Sequence, residues 1–230
     1  MGGRNVSVTY QVHLLRVRNP EFVNYTYIIV DKFSKEAVIV DPAWEIDLIL
    51  DKIAHLNVKL RKILLTHSHF DHVNLAEILA NRYHAQVYIS AVEQAYYHFQ
   101  CENLNVVNHL DNIFIGKTKI TCLLTPGHTA GGMCFLLEKS LFTGDTIFIE
   151  GCGMCDGGGG SAKEMFKSIQ MVKKVINPVV RIFPGHSFGK VPGYTLKYLL
   201  NKNIYFQIEQ EEHFINFRLR KNQNNIFSFQ

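Results

Sequence analysis

The segment LTHSHFDHVN, at positions 65–74, contains three histidines and an aspartate within six residues. A buried core would have to satisfy each of these polar side chains separately. Neutral imidazole and carboxylate are, however, the ligands that zinc and similar divalent metals accept. His67 and His69 are two residues apart, so they point the same way in an extended segment. Asp71 and His72 follow at a turn and can face a second ion.

Three more residues of the same type follow apolar runs later in the chain. His128 ends CLLTPGH, Asp145 ends LFTGD and His186 ends VRIFPGH. Loops that leave strand ends often carry sites in α/β proteins, because the sheet fixes where they start. Seven ligands are too many for one tetrahedral ion. They suit two ions about 3.5–4 Å apart with one carboxylate able to bridge. The other histidines, His13, His55, His84, His98, His109 and His213, are interpreted as structural.

Hydrophobic periodicity predicts strands and helices mixed through both halves of the chain. Strand-like runs are YQVHLLRV, YTYIIVD, EAVIVDPA, RKILLTH, AQVYIS, KITCLLTPGH, GMCFLLE, SLFTGD and VVRIFPGH. Helix-like runs are EIDLILDKIAHL, NLAEILANRYH, AVEQAYYHF, SAKEMFKSIQMVKKVI, which Ser161 is predicted to cap, and GYTLKYLLNKN. This order indicates two packed sheets with helices outside, although the pattern alone leaves a doubly wound sheet open.

Composition and charge restrict the class of protein. Hydrophobic residues make up 47% and charged residues 19% of the 230, so we expect one domain over residues 1–230 with a sizeable core. The net charge is +4. We expect no nucleic-acid partner, and the densest basic patch, FRLRKNQ, is interpreted as a solvated helix face or tail. The chain shows neither a membrane-length apolar run nor a signal-peptide pattern, and it has five cysteines. A cytoplasmic protein with reduced thiols and no membrane partner is expected, while the oligomeric state stays open.

The motifs THSHFDH, TPGHTAGG, FTGDTIF and FPGH resemble, in order and approximate spacing, the metal motifs of the metallo-β-lactamase fold superfamily. The resemblance implies an α/β protein, a four-layer αββα sandwich with its site along one edge of the two sheets. It implies two divalent metal ions, for which zinc is expected, although ligand type alone leaves iron and manganese open. The implied ligand sets are His67, His69 and His128 for the first metal, Asp71, His72 and His186 for the second, and Asp145 as the bridge.

Within that superfamily the chain resembles the glyoxalase II-like thioester hydrolases. It is more similar still to the zinc-dependent hydrolases of bacterial polyketide biosynthesis clusters. The segment EGCGMCDGGGGSAKEMFKSI resembles the glycine-and-cysteine loop of the glyoxalase II proteins and the helix after it. Those proteins typically carry a basic residue just after Cys-Gly, where it helps to hold glutathione, and here the position is Met154. Cys152 and Met154 are therefore predicted to bind a substrate other than a glutathione ester.

The pair Cys152 and Cys155 also invites a zinc or redox interpretation. A structural zinc needs four ligands, usually two such pairs, and the sequence has one. A thioredoxin-like pair would stand at the start of a helix that follows a strand. The flanking glycines instead indicate a pliant loop beside the site.

The sequence and the resemblance together predict a binuclear metallohydrolase that cleaves a thioester, either a small molecule or one bound to a carrier protein. The ions would lower the pKa of a bound water to about 7, so that hydroxide is available to attack the carbonyl. Asp71 is the expected catalytic residue, which orients the water and accepts a proton. The alternatives are a hydroxyacylglutathione hydrolase, a phosphodiesterase, and a redox partner that would need a flavin domain.

Overall fold

The computed structural model describes residues 8–221. Residues 1–7 and 222–230 lie outside this range, and with them the N-terminal segment and the last two residues of the FRLRKNQ patch. The elements of the first half are β1 (Tyr10–Arg18), β2 (Val23–Asp31), β3 (Glu36–Val40), α1 (Ile46–Leu56), β4 (Lys59–Leu64), α2 (Phe70–Val73), α3 (Ala76–Tyr83), β5 (Gln86–Ser90), α4 (Ala91–Tyr97) and β6 (Leu104–Val107).

The second half builds the other sheet and the helices that cover it. Its elements are β7 (Asn112–Ile115), β8 (Thr118–Leu124), β9 (Met133–Leu136), β10 (Ser140–Gly144), α5 (Ala162–Val175), β11 (Arg181–Pro184), α6 (Leu196–Lys202), α7 (Ile204–Gln207) and α8 (Glu211–Arg218). Among residues 8–221, no helix is both long enough and apolar enough to cross a bilayer.

Two mixed sheets form the centre of the fold. The first has the order β1-β2-β3-β4-β5-β6, and its first three strands are antiparallel while β3 to β6 are parallel. The second has the order β11-β10-β9-β8-β7, with one parallel pair, β10 and β11. Parallel neighbours matter for the site, because their carboxyl ends lie at the same edge of a sheet.

The alternating direction of side chains along the strands explains the four layers. On β2, Ile28 packs with the cluster that includes Ile49 of α1 and Leu79 of α3. Its neighbour Ile29 belongs instead to the cluster between the sheets, together with Phe142 of β10. Successive residues of a strand point to opposite faces, so a run that is apolar at every position is buried on both. A third cluster joins the outer face of the second sheet to α5, α6, α7 and α8. The predicted αββα sandwich is therefore confirmed.

Helix α5 shows how local sequence sets an element. The Ser161 side chain accepts a hydrogen bond from the Glu164 backbone N–H, which confirms the predicted cap. Its buried face consists of Ala162, Met165, Ser168, Ile169 and Val172, at the spacing of one helical stripe.

The structure adds elements that periodicity did not predict: α2, β6, β7, α7 and α8. The added helices α2 and α7 have four residues each, as do the added strands β6 and β7, so each spans at most two periods and is too short for its pattern to stand out. Helix α8 contains the start of the FRLRKNQ patch. The interpretation of that patch as solvated is wrong for Arg218, whose exposed fraction is 4%.

Replacing Phe142 by alanine should destabilise the fold far more than the same change at Phe114. Phe142 is fully buried between the sheets and contacts the rings of Tyr27 and Phe183, whereas Phe114 is 56% exposed on β7. We expect Phe142→Ala to lower the free energy of unfolding by about 3–5 kcal/mol, and Phe114→Ala by about 1 kcal/mol or less. Urea unfolding with a chelator present measures both, and equal losses would contradict this assignment of the inter-sheet core.

Candidate metal centre

All seven residues predicted as ligands lie together where strands of both sheets end. His67, His128, Asp145 and His186 each follow the carboxyl end of a strand, as predicted from the sequence. The short helix α2 carries Asp71 and His72, and His69 is the residue directly before it. The supporting elements are β4 for His67, α2 for Asp71 and His72, β8 for His128, β10 for Asp145 and β11 for His186.

The potential ligand atoms fall into groups that lie within 4.8 Å of one another. The sets are His67, His69 and His128; Asp71, His72 and His186; and His67, His72 and Asp145. The first two match the ligand sets that the family resemblance implies. The third places Asp145 between them: its Oδ2 lies 3.7 Å from His128 Nε2 and 3.4 Å from His186 Nε2. The role of each residue as a ligand stays a prediction.

Hydrogen bonds on the far side of the rings fix the tautomers. His128 Nδ1 lies 2.7 Å from the Met154 carbonyl oxygen, and His186 Nδ1 lies 2.8 Å from that of Val23. A carbonyl oxygen can only accept, so each Nδ1 carries the hydrogen and each Nε2 keeps its lone pair for the site. This is the arrangement that orients histidines in metal centres.

Asp41, buried after β3, orients a histidine of each group. Its carboxylate accepts hydrogen bonds from the Thr66 backbone N–H at 2.8 Å and the Thr66 hydroxyl at 2.6 Å, and His72 Nδ1 lies 3.0 Å away. The Thr66 hydroxyl hydrogen is thereby used, so its oxygen accepts from His67 Nδ1 at 3.0 Å. The sequence analysis missed Asp41, although VIVDP shows the same signal as the other sites, a polar residue directly after an apolar strand.

The nitrogen and oxygen atoms of the candidate ligands fit divalent cations. His67 Nε2 and Asp145 Oδ1 are buried without a hydrogen-bond partner among the described residues. Buried polar atoms rarely lack one unless an ion or water satisfies them. His72 Nε2 also lies 3.3 Å from His186 Nε2, and two ring nitrogens that both present lone pairs repel each other unless a cation or proton lies between them. Five histidines and two aspartates are the nitrogen and oxygen ligands of zinc.

Burial and charge set the pKa values of these side chains in opposite directions. Burial, reinforced by neighbouring imidazoles, holds the pKa of His67 well below its ordinary value and lowers that of His69 to about 4. Burial acts in the same direction on His72, but Asp71 and Asp145 outweigh it and raise the pKa of His72 to about 10. Burial would raise the pKa of Asp71, yet His72 and His186 hold it well below its usual range. At neutral pH, His67 and His69 thus need lose no proton to bind a cation, whereas His72 must.

Two glycines allow backbone to approach this centre closely. Gly144 has a φ of +47°, and a Cβ built there would collide with the Thr66 hydroxyl. A Cβ at Gly153 would collide with the Asp145 carbonyl oxygen and lie 3.0 Å from the His128 ring. Residues with side chains would push apart the loops that bear the candidate ligands.

Glu93 joins the first ligand loop to the loop after His128. It is fully buried near the start of α4, and its carboxylate accepts from the Ser68 N–H, the Ser68 hydroxyl and the Gly131 N–H. Ser68 lies between His67 and His69, so this carboxylate holds both histidine-bearing segments in register. No pattern in the sequence pointed to it.

A cavity of 440 Å³ opens on the ligand groups. Cys152 and Met154, the predicted substrate-binding residues, both line it. Burial raises the pKa of Cys152 well above its ordinary value and that of Cys155 to about 11, so neither thiol is ionised at neutral pH. The other lining residues are Phe22, His69, Asp71, His128, Asp145, Phe148, Glu150, Gly151, Asp156, Gly157, His186, Phe188, Ile204, Tyr205, Phe217, Arg218 and Arg220.

Arg218 and Arg220 bring positive charge to this cavity from α8 and the residues after it. Arg218 Nε donates to the Gly153 carbonyl oxygen at 2.8 Å, so the last helix holds the glycine-and-cysteine loop. Met154 is not basic, but these arginines supply a charge that the sequence analysis had placed in solvent. Their distance along the chain from the loop is the reason that local patterns missed them.

The sequence model of a protein family, the metallo-beta-lactamase superfamily, matches residues 18–186, more than half of the chain. The chain belongs to that superfamily. A relative from Bacillus subtilis (strain 168), named "Probable polyketide biosynthesis zinc-dependent hydrolase PksB", is 51% identical and covers 97% of this chain and 100% of its own. A relative from Bacillus velezensis with the same name but the designation BaeB is 54% identical, covering 96% and 98%. The crystal structure of ETHE1 from Myxococcus xanthus matches with a TM-score of 0.81 at 27% identity, covering 93% of this chain and 92% of that one. The predicted family resemblance is confirmed.

Zinc titration of chelator-treated protein should end at about two ions per chain, since this centre contains the two implied ligand sets, His67, His69 and His128, and Asp71, His72 and His186. His67→Ala removes a ligand atom from two of the three groups and should reduce the content to about one ion or fewer. His213→Ala, an exposed histidine on α8, is the matched control and should keep the full content. Elemental analysis measures all three, and a wild-type limit of one ion in excess zinc would exclude the binuclear assignment.

Proposed function

We propose that this protein is a zinc-dependent hydrolase of polyketide biosynthesis that cleaves a thioester of an acyl-carrier protein or of a pantetheine-type carrier. The observation that carries the proposal is that the two ligand groups open on one cavity with largely apolar walls. Such a cavity suits a long, flexible and mostly apolar substrate. The names of the two Bacillus relatives support the reaction class and the biosynthetic setting.

The chain's own residues orient the reacting groups. When bound, a pair of divalent ions would lower the pKa of a water to about 7, so that its proton can pass to solvent at neutral pH, and would polarise a carbonyl oxygen. Asp71 lines the cavity and keeps its carboxylate ionised, so it accepts a hydrogen bond from the attacking water and orients it. The water oxygen bonds to the thioester carbonyl carbon as the C–S bond breaks, and the thiolate is a good leaving group, so no strong general acid is required.

Aromatic side chains form the wall beside the second ligand group. Phe148 stacks on Phe188 with ring centroids 6.1 Å apart and meets the His186 ring edge-on at 6.3 Å. These rings exclude water next to the reacting carbonyl and offer apolar surface to an acyl chain or a pantetheine arm. Met154 extends this apolar surface along the glycine loop.

A hydroxyacylglutathione hydrolase is the second candidate, and the two arginines suit it as well as they suit the first. Arg218 and Arg220 line the same cavity and could contact an anionic carrier. The phosphate of a pantetheine carrier and the carboxylates of glutathione carry the same sign of charge. Only a comparison of carriers with one acyl group therefore separates the two candidates.

Asp145→Ala should lower thioester hydrolysis by much more than tenfold. The Asp145 carboxylate lies between the two ligand groups, where it would offset the positive charge of two bound cations. A tenfold loss corresponds to about 1.4 kcal/mol on the barrier. Asp51→Ala, which removes an exposed carboxylate from α1, should change neither activity nor zinc content. If kcat/KM of Asp145→Ala stays within tenfold of the wild type, Asp145 does not bridge the centre.

The wild-type protein should show a higher kcat/KM for acyl-pantetheine and acyl-carrier thioesters than for the glutathione thioester of the same acyl group. Met154→Lys should narrow this gap, chiefly through KM, because a charge-assisted contact binds ground state and transition state alike. Such a contact contributes roughly 1.5–3 kcal/mol, or about ten- to a hundredfold in binding. Val175→Lys adds the same charge at an exposed position on α5 and should leave the gap unchanged. A wild-type preference for glutathione esters would overturn the carrier assignment and leave the hydrolase class standing.

A further inference from the structure

The carboxylate of Asp71, on helix α2, is held by the buried side-chain amide of Asn24 on strand β2. Asn24, on β2, is 1% exposed. Its Nδ2 donates to the Asp71 carbonyl oxygen at 2.9 Å and to Asp71 Oδ2 at 3.0 Å. One amide group therefore fixes both the main chain and the side chain of Asp71.

A tryptophan determines which way that amide faces. Trp44 Nε1 lies 2.7 Å from Asn24 Oδ1. An indole N–H can only donate, so the amide oxygen must face Trp44 and the NH₂ group must face Asp71. With the amide reversed, an N–H would point at the indole N–H, and the amide oxygen would face a carboxylate. Both contacts would be repulsive.

Trp44 is itself held in place from three sides. Its backbone N–H donates to Asn74 Oδ1 at 2.9 Å, and Asn74 caps the C-terminal end of α2, the helix that bears Asp71. The indole stacks on Phe22 at 6.1 Å and meets Phe70 edge-on at 5.8 Å. Trp44 also adopts a φ of +61°, a conformation that a bulky residue rarely keeps without such contacts.

We propose that Trp44 and Asn24 form a relay of positioning residues that orients Asp71 and thereby sets the affinity of the second metal group, Asp71, His72 and His186. The proposal rests on the assignment of Asp71 to the metal centre made above. The indole N–H selects one orientation of the Asn24 amide, and the amide selects one orientation of the carboxylate. A carboxylate that is already oriented loses less conformational freedom when it binds a cation.

The relay predicts a specific non-additivity in metal affinity. Asn24→Ala should weaken the second zinc site by roughly ten- to a hundredfold. Trp44→Phe keeps a ring between Phe22 and Phe70 but removes the indole N–H that selects the amide orientation, and we expect a loss of roughly threefold to tenfold. In the Asn24→Ala background, Trp44→Phe should change the dissociation constant by less than about twofold, because the group through which it acts is gone.

The test is a double-mutant cycle on the zinc dissociation constant of the second site, the one that Asp71→Ala removes, measured by competition with a chromophoric chelator. Asp71→Ala provides the reference for a lost second site. Tyr10→Phe is the control: Tyr10 lies on β1, paired with Asp31 at the far end of β2 from Asn24. Its loss of the hydrogen bonds to Ser140 and Lys139 should leave both dissociation constants unchanged. Urea unfolding in chelator verifies that each variant is folded. If Asn24→Ala does not fold, Asn24→Leu serves as the background, because its side chain has a similar shape but offers Trp44 no hydrogen-bond acceptor and Asp71 no donor.

Each outcome separates the relay from the metal assignment. The relay is overturned if Trp44→Phe leaves the wild-type affinity unchanged, or weakens it equally in both backgrounds, while Asp71→Ala loses the second ion. A wild-type protein that binds no second ion, or an Asp71→Ala variant that keeps it, refutes the metal assignment instead. A Trp44 effect confined to the protein that retains Asn24 supports the relay, since a purely structural role of the indole would persist without the amide.

Discussion

The carboxylate of Asp41 is the interaction on which both candidate ligand groups depend. It reaches His72 directly and His67 through the Thr66 hydroxyl. It is itself almost fully buried, and a buried carboxylate is tolerated only where several donors satisfy it. The strand β3 that delivers it is parallel to β4, which delivers His67. The sheet therefore brings the organising anion and the residues it orients to the same edge before any cation binds.

Hydrogen bonds with other partners orient the rest of the centre in the same way. Main-chain carbonyl groups of Met154 and Val23 orient His128 and His186, and Glu93 holds the backbone between His67 and His69. None of these three contacts is local in sequence, since the two residues that each one joins are at least 25 positions apart. Packing of the αββα layers is thus a condition for the geometry of the centre, and loss of the inter-sheet core would disperse the ligands.

The sequence pattern predicted most of the strands and helices and the seven clustered residues for a physical reason, whereas the four-layer sandwich was predicted from the family resemblance. Strands buried on both faces, such as β2, give long apolar runs, and a polar residue directly after such a run marks a strand end. The side chains that orient the cluster were not predictable in this way. Asn24 stands inside a strand run and Glu93 inside a helix, where polar residues are ordinary. Arg218 belongs to a basic patch that looks solvated until α8 is packed against α5. Their roles depend on contacts between distant segments, which no local pattern encodes.

The loop from Gly151 to Gly160 connects the substrate wall to the first ligand group through its main chain. Arg218 binds the carbonyl oxygen of Gly153, and the next carbonyl oxygen, that of Met154, accepts from His128 Nδ1. Both contacts use backbone atoms, so the side chain at position 154 takes no part in them. That side chain faces the cavity. A change of residue at 154 can therefore alter the wall of the cavity while His128 keeps its tautomer and its direction. The loop thus separates the side chain that lines the cavity from the backbone contacts that orient His128, although all of these belong to Gly153 and Met154.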